Sequence, residues 1–376
     1  MGRKFVIDGN EINQNSDCFV VAEIGANHMG KLDIAEKMIL SAKEAGASAV
    51  KFQKRNNQEL FTKTMFDMPY VNSNSFAQTY GEHREYLEFG YDEYSHLIEF
   101  AKSNQIMFFA TPFDFASVDF LEKFDLPAYK TASADIINTP FLEYIASTGK
   151  PMIISTGGSS LEDVKRAYDK VSKYKNQISI LQCSSVYPAD PSDMNLSVIN
   201  TYMDEFGDNI IGLSDHQSGI ALALVGYVLG ARIIEKHFTL NRSMKGTDQP
   251  FSLEPVGLKK LVRDLNRTKS AMGDGEKKLL DIIRCLLLKP KFLLMDEPTA
   301  GLPEDQTKKV MDLMKKKTNE EAMSILIVEH NLDLIWEVSE KVHFMAEGKI
   351  LLEGSPEEIK ADKTVALKYM GESDPV

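Results

Sequence analysis

Eight short apolar runs, most of them followed by an amphipathic helical stretch, constrain the fold of this chain more than any other feature. They fall at 19–24, 49–52, 106–110, 128–131, 152–155, 178–182, 209–213 and 233–237. Rich in Val, Ile and Phe, they read as strands buried on both faces, as in a parallel sheet. Helical periodicity occupies stretches between them, such as 31–45, 92–104, 161–173, 196–206 and 219–229. Gly46, Gly149, Gly207 and Gly230 end or follow helices, where a left-handed cap is expected. Eight alternations over about 250 residues fit an α/β fold of the closed (β/α)₈ TIM-barrel type better than an open sheet. An open dinucleotide-binding sheet calls for G-x-G-x-x-G after its first strand. Here the turn is Gly25-Ala-Asn-His-Met-Gly30, and that spacing is missing. The polar, Asn-rich insert at 56–91 reads as a loop on the barrel's active face.

In such a barrel the chemistry sits at the carboxyl ends of the strands. Those ends carry Glu23, Asn27 and His28; Lys51 and Gln53; Thr111 and Asp114; Lys130, Ser133 and Asp135; Ser155 and Thr156; Ser184, Ser185 and Tyr187; Ser214, Asp215 and His216; Glu235, Lys236 and His237. Lys51 and Lys130 lie inside apolar runs, where an ammonium is costly unless an anion meets it. With the serines nearby they suggest a phosphate or carboxylate cradle. The alternative is that both lysines snorkel outward between helices. His216 and His237, on the last two runs, could hold one divalent cation with positions left open for substrate. Each taken alone reads equally as a hydrogen-bonded structural histidine.

A net charge of −12 speaks against a nucleic-acid surface. The amino terminus has neither the apolar core of a signal peptide nor the residue pattern for myristoylation. No apolar run is long enough to span a bilayer, so direct membrane insertion is not expected. Cys18, Cys183 and Cys285 are odd in number, scattered and outside metal-finger spacing, which points to reduced thiols and the cytoplasm.

Seven ordered blocks carry a resemblance: Glu23-Ile-Gly-Ala-Asn-His28, Lys51-Phe-Gln53, Thr111-Pro-Phe-Asp114, Lys130-Thr-Ala-Ser-Ala-Asp135, Ser155-Thr-Gly-Gly158, Ser214-Asp-His216 and Glu235-Lys-His-Phe-Thr239. Together they resemble the sialic acid synthase family over residues 1–273. Such enzymes condense phosphoenolpyruvate with an N-acyl amino-sugar aldehyde, such as N-acetylmannosamine, and water. The products are a nonulosonic acid and phosphate.

The resemblance implies that His216 and His237 hold a divalent cation, Mn²⁺ by family preference with Mg²⁺ as the alternative. Lys51, Lys130, Ser133, Ser155, Ser185 and Ser214 would bind phosphoenolpyruvate; some family members carry Asn at the place of Ser185. Glu23 would do acid/base work or stabilise positive charge near the enol carbon, with Asp135 close to the reacting carbons. Gln53 and Asp248 would bind the sugar or its metal-bound end, and Tyr187 would be a further substrate-binding residue. The family assembly is a homodimer in which a small antifreeze-like domain lends an arginine to the neighbouring subunit. At that place this chain carries different sequence.

Residues 279–376 resemble the carboxyl-terminal part of an ABC transporter ATPase, which would make a partial P-loop NTPase-like α/β fragment. An apolar run ends in Asp296-Glu297 at the metal- and water-binding position, Thr299-Ala-Gly-Leu302 follows, and His330 falls at the switch histidine. A helix is expected at 304–317, a strand at 324–328 and a hairpin at 342–352 with Gly348 in its turn. G-x-x-x-x-G-K-[ST] is absent from the chain, so Asp296, Glu297 and His330 read as a vestigial nucleotide site. Residues 274–278 form the junction, where both families carry a Gly-rich, Lys-bearing turn, and a fusion there is the expectation. Two other readings compete with an active synthase: an impaired barrel that only binds phosphoenolpyruvate or sugar, and a transporter-associated ATPase fragment with the barrel as passenger.

Overall fold

In the computed structural model, which describes residues 3–272, 276–299, 302, 304–321, 323–329, 331–346, 348–362 and 365, the chain forms two units, Met1–Ala271 and Met272–Val376. The first begins with an antiparallel hairpin, β1 (Lys4–Ile7) and β2 (Asn10–Asn13). Its turn is Asp8-Gly9, with φ of 48° and 74°. That backbone matches the twist of the flanking strands, and Asp-Gly favours it.

Eight strands follow: β3 (Phe19–Gly25), β4 (Ala49–Lys54), β5 (Met107–Pro112), β6 (Tyr129–Thr131), β7 (Met152–Ser155), β8 (Ile178–Cys183), β9 (Ile210–Asp215) and β10 (Ile233–His237). They pair in parallel and in sequence order, and β10 closes on β3, with His237 opposite Glu23. This is the expected closed eight-stranded barrel. Alternation sorts the side chains. Val20, Ala22, Ile24 and Val50 face the helical layer, while Phe19, Val21, Ala49, Phe109 and Ile233 pack with Phe5, Ile7 and Ile12 of the hairpin. The hairpin thus plugs the amino-terminal end, and the inward positions left at the other end are polar.

Several expectations need correction. The insert at 56–91 contains three short helices, Asn57–Leu60, Lys63–Phe66 and Tyr80–Leu87. Two of them have only four residues and would be marginal alone. Aromatic contacts hold the segment together: Tyr80 lies 5.1 Å from Phe61 and 5.4 Å from Tyr70, ring to ring. Helices at Phe115–Leu121, Thr139–Ser147 and Pro255–Met272 complete the layer. Gly46, Gly149 and Gly230 have positive φ, whereas Gly207 does not.

The second unit has a parallel pair, β11 (Phe292–Asp296) with β12 (Ser324–Val328), and an antiparallel pair, β13 (Val342–Ala346) with β14 (Lys349–Gly354). The helix read at 304–317 runs over Glu304–Glu321. Ile282, Leu286, Met295, Val310, Met314 and Met323 form a small core. On the other face of the parallel pair Phe292, Leu294, Leu326 and Val328 are exposed. Asp296 ends β11, and Glu297 follows with φ 46°. The Thr299 hydroxyl donates to Glu329 at 2.6 Å. His330 and, of the junction 274–278, residues 274 and 275 lie outside the described residues.

Candidate active site

The carboxyl-terminal end of the barrel opens into a cavity of about 340 Å³. Inward positions of successive strands build its floor: Glu23 on β3, Lys51 and Gln53 on β4, Thr111 on β5, Lys130 on β6, Ser155 on β7, Cys183 on β8, Ser214 on β9, and Glu235 and His237 on β10. Ser133, Ser185, Tyr187, His216 and Asp248 come from the loops just beyond. Of the residues to which the resemblance gives a role in this unit, only Asp135 falls outside the lining; His28, Asp114, Thr156, Ser184, Asp215 and Lys236, read only as strand-end or loop polars, also do. Asp135 ends the turn Ser133–Asp135, and its Oδ2 is buried without a hydrogen-bond partner. Burial lifts its carboxyl to about 6, against the pull of Arg55 and with the help of Asp114.

Two ammoniums and two carboxylates alternate across the floor. Lys51 Nζ lies 3.0 Å from Glu23 Oε2 and 3.5 Å from Glu235 Oε2, and donates to Thr111 Oγ1 at 2.9 Å. Lys130 Nζ lies 3.7 Å from Glu235 Oε1 and donates to Ser155 Oγ. Ser214 Oγ donates to Glu235 Oε1 at 3.0 Å, and Gln53 Nε2 donates to Glu23 Oε1. Burial works to depress Lys51, but Glu23 and Glu235 outweigh it and hold its ammonium above the usual range. For Lys130 burial wins, with Lys51 adding to it against Glu235, so its affinity for a proton falls. Burial would raise Glu235, yet Lys130 and Lys51 hold it well below the ordinary carboxylate range. Neither lysine snorkels outward; each is about 95% or more buried.

Just past β9 and at the end of β10, two residues beyond Glu235, the His216 and His237 rings stand 5.3 Å apart, with Tyr187 4.1 Å from His216. His216 donates its Nδ1 proton to the Ser184 carbonyl at 2.9 Å, which leaves the Nε2 lone pair free to bind a cation. Burial, with His237 adding to it, pushes His216 down to about 3, so it is neutral near pH 7. His237 Nδ1 is buried without a hydrogen-bond partner, 3.7 Å from Asp248 Oδ2. Two imidazoles, one with an unused buried nitrogen, fit a divalent cation. Among the described residues no cluster of three or more His, Cys, Asp or Glu side chains is gathered to hold one.

A family model described as the NeuB family matches residues 38–277. The chain belongs to the NeuB family. It is 41% identical over 272 residues to the N-acetylneuraminate-9-phosphate synthase of Homo sapiens, covering 72% of this chain and 76% of the human protein. It is 38% identical over 288 residues to the N,N'-diacetyllegionaminic acid synthase of Legionella pneumophila, covering 75% and 81%. The crystal structure of the N-acetylneuraminic acid synthetase of Leptospira borgpetersenii, in complex with citrate, superposes with a TM-score of 0.66 at 35% identity, over 73% of this chain and 92% of that one.

Not all of this NeuB-family cavity was visible in sequence. Glu235 stood out as a polar strand end and within a matched block but was given no role, and its place between Lys51 and Lys130 depends on strands far apart in the chain. Arg55, His83, Arg84 and Phe76, from the insert and its start, also line the cavity. Asp215 and Lys236, read as strand-end polars, instead face the helical layer and pair at 2.9 Å, both buried. Ser184 turns its hydroxyl to the Asp193 carbonyl at 2.7 Å, away from the cavity.

Proposed function

We propose that the barrel condenses phosphoenolpyruvate with an N-acyl amino-sugar aldehyde and water, yielding a nonulosonic acid and phosphate. The observation that carries this is the Lys51–Glu23–Glu235–Lys130 cluster on the cavity floor, in the same cavity as the His216 and His237 imidazoles. Two buried ammoniums with serine hydroxyls match a small ligand bearing both a carboxylate and a phosphate. Lys51 and Lys130, with Ser133, Ser155, Ser185 and Ser214, bind phosphoenolpyruvate and strip its water. Gln53, Tyr187 and Asp248 orient the sugar.

The enol methylene carbon bonds to the aldehyde carbon, whose oxygen takes up a proton. Water adds to the enol-ether carbon, and phosphate leaves by cleavage of its bond to that carbon. Glu23, held by Lys51 and Gln53, is placed to stabilise the cationic carbon and to accept the water's proton. Asp135, raised by burial, is a proton carrier one shell further out. A divalent cation held by His216 and His237, Mn²⁺ or Mg²⁺, would polarise the aldehyde oxygen. Release of phosphate from phosphoenolpyruvate, measured with N-acetylmannosamine and Mn²⁺, tests the reaction. Tight binding of phosphoenolpyruvate without release would instead indicate an impaired barrel.

By the same family resemblance we place the enzyme in the cytoplasm as a homodimer, which sedimentation of the full chain checks. Among the described residues no helix is long and apolar enough to cross a membrane. For residues 279–376 we propose descent from an ABC ATPase, joined at 274–278. The parallel β11–β12 pair ending at Asp296 supports it. Genomic sequencing across codons 265–285 tests the junction, and continuous synthase sequence there would remove the fusion. ATP calorimetry on the full chain tests the vestigial site, with no binding expected.

A further inference from the structure

Just past the end of β4 a buried arginine reaches the cavity floor through another side chain. Arg55 lines the cavity, and its side chain is 10% exposed. Its guanidinium stacks 3.7 Å over the Phe113 ring, and its Nη2 donates to Gln53 Oε1 at 2.7 Å. Gln53 Nε2 in turn donates to Glu23 Oε1 at 2.5 Å, while Glu23 Oε2 faces Lys51 Nζ at 3.0 Å. A guanidinium has only donors and a carboxylate only acceptors, so the carboxamide between them has one orientation that satisfies both. Stacking leaves the in-plane N–H groups of Arg55 free to donate, which a lysine over the same ring could not reproduce.

The backbone around this relay makes room for it. The β3–β4 register shifts between Glu23 and Gly25, and Gly25 has φ 53°. A Cβ there would stand 3.1 Å from both Gln53 Nε2 and Glu23 Oε1, so the two side chains meet over a residue that has none. The Tyr94 hydroxyl donates to the Gln53 carbonyl at 2.8 Å. Glu88 accepts from the Arg55 N–H and from Lys54 Nζ, each at 3.2 Å, and the Asn56 N–H donates to Asp114 Oδ2 at 2.7 Å. These bonds hold the strand end without the guanidinium, and Lys54 keeps Glu88 paired in its absence.

We infer that Arg55 is a positioning residue for the condensation: it fixes the Gln53 carboxamide and, through it, the Glu23 carboxylate. The inference rests on the proposed reaction, which gives Glu23 its role. Without the guanidinium, Gln53 Oε1 loses its donor, the carboxamide turns to find another, and Glu23 Oε1 loses the N–H that holds it. Phosphoenolpyruvate, held by the lysines and serines, binds as before.

The test is a double-mutant cycle on the full chain, reading phosphate release from phosphoenolpyruvate with saturating N-acetylmannosamine and Mn²⁺. R55M should lower kcat about tenfold, the scale of one charge-assisted hydrogen bond, with the KM for phosphoenolpyruvate unchanged. In the Q53M background R55M should cost nothing further, because the carboxamide it acts through is gone. An arginine that only supported the fold, or that touched substrate itself, would cost as much in Q53M as in the wild type. That result would overturn the inference, as would an unchanged kcat in R55M. Where R55M does not fold, F113L, which loosens the guanidinium without removing it, goes through the same cycle with the same criteria. Absence of release by the wild type would defeat the proposed reaction instead. The positioning is then read from a crystal structure of R55M: a turned Gln53 carboxamide supports it, and Nε2 still on Glu23 Oε1 overturns it.

Discussion

Lys51 Nζ lies 3.0 Å from Glu23 Oε2, and the two side chains are 5% and 2% exposed. Such a pair contributes little net stability, because desolvation offsets attraction, but breaking it leaves a charge stranded in the interior. Lys51→Met should therefore cost about 3–5 kcal/mol in urea unfolding and abolish phosphoenolpyruvate binding. Glu23→Gln keeps the shape and removes the charge, so it should fold and lose about 10²–10⁴ in kcat. A Glu23→Gln enzyme with unchanged kcat would remove Glu23 from the chemistry.

The phosphate cradle depends on a residue with no side chain. The Gly157 N–H donates to Ser133 Oγ at 2.9 Å, and a Cβ at Gly157 would stand 2.2 Å from Ser185 Oγ and 2.9 Å from Ser133 Oγ. Gly157→Ala must push both hydroxyls aside. The expected result is a rise of about tenfold in the KM for phosphoenolpyruvate, the scale of one charge-assisted hydrogen bond, with little change in melting temperature. An unchanged KM would mean that these serines do not touch that substrate.

The imidazole pair makes its own prediction. Removing either His216 or His237 should abolish cation-dependent turnover and weaken Mn²⁺ binding, read independently of activity by calorimetry. Chelation of the wild type should stop phosphate release, and added Mn²⁺ should restore it. Full activity in His237→Ala would dismiss the pair as ligands.

The barrel was legible in sequence because its strands are buried on both faces and therefore largely apolar, with polar residues gathered toward their carboxyl ends. Glu23, Lys51, Lys130, Ser214, His216 and His237 could be picked out for that reason. What alternation alone left open was the face: Asp215 and Lys236 sit between inward residues and point outward, as strand periodicity requires once register is known. The hairpin had its Asp8-Gly9 signal, but its role depends on plugging a barrel end built from residues spread from Phe19 to Ile233. The two four-residue helices of the insert were unreadable because they are too short to carry a periodicity, whereas Tyr80–Leu87 had a signal that went unread, the Thr79–Glu82 capping box.

The outward pair gives a stability prediction separable from catalysis. Lys236→Met leaves Asp215 buried without its partner and should cost about 3–5 kcal/mol. Adding Asp215→Asn removes the stranded charge, so the double variant should be more stable than Lys236→Met alone, a coupling that chemical unfolding would measure.

A third histidine links acidity to stability. His28 is buried, its ring stacked 4.2 Å from Phe89, and its Nδ1 accepts from the Gly30 N–H. Burial lowers it from 6.5 to about 3. The unfolded chain therefore binds a proton that the folded chain refuses between those values. The stabilisation is complete above about pH 6.5 and is lost as pH falls toward 3. His28→Gln keeps a polar group but cannot titrate. Its unfolding free energy should fall less steeply than the wild type's between pH 6 and 4, by close to one proton's worth of slope. Equal slopes in the two proteins would mean that the folded protein protonates His28 as readily as the unfolded chain does.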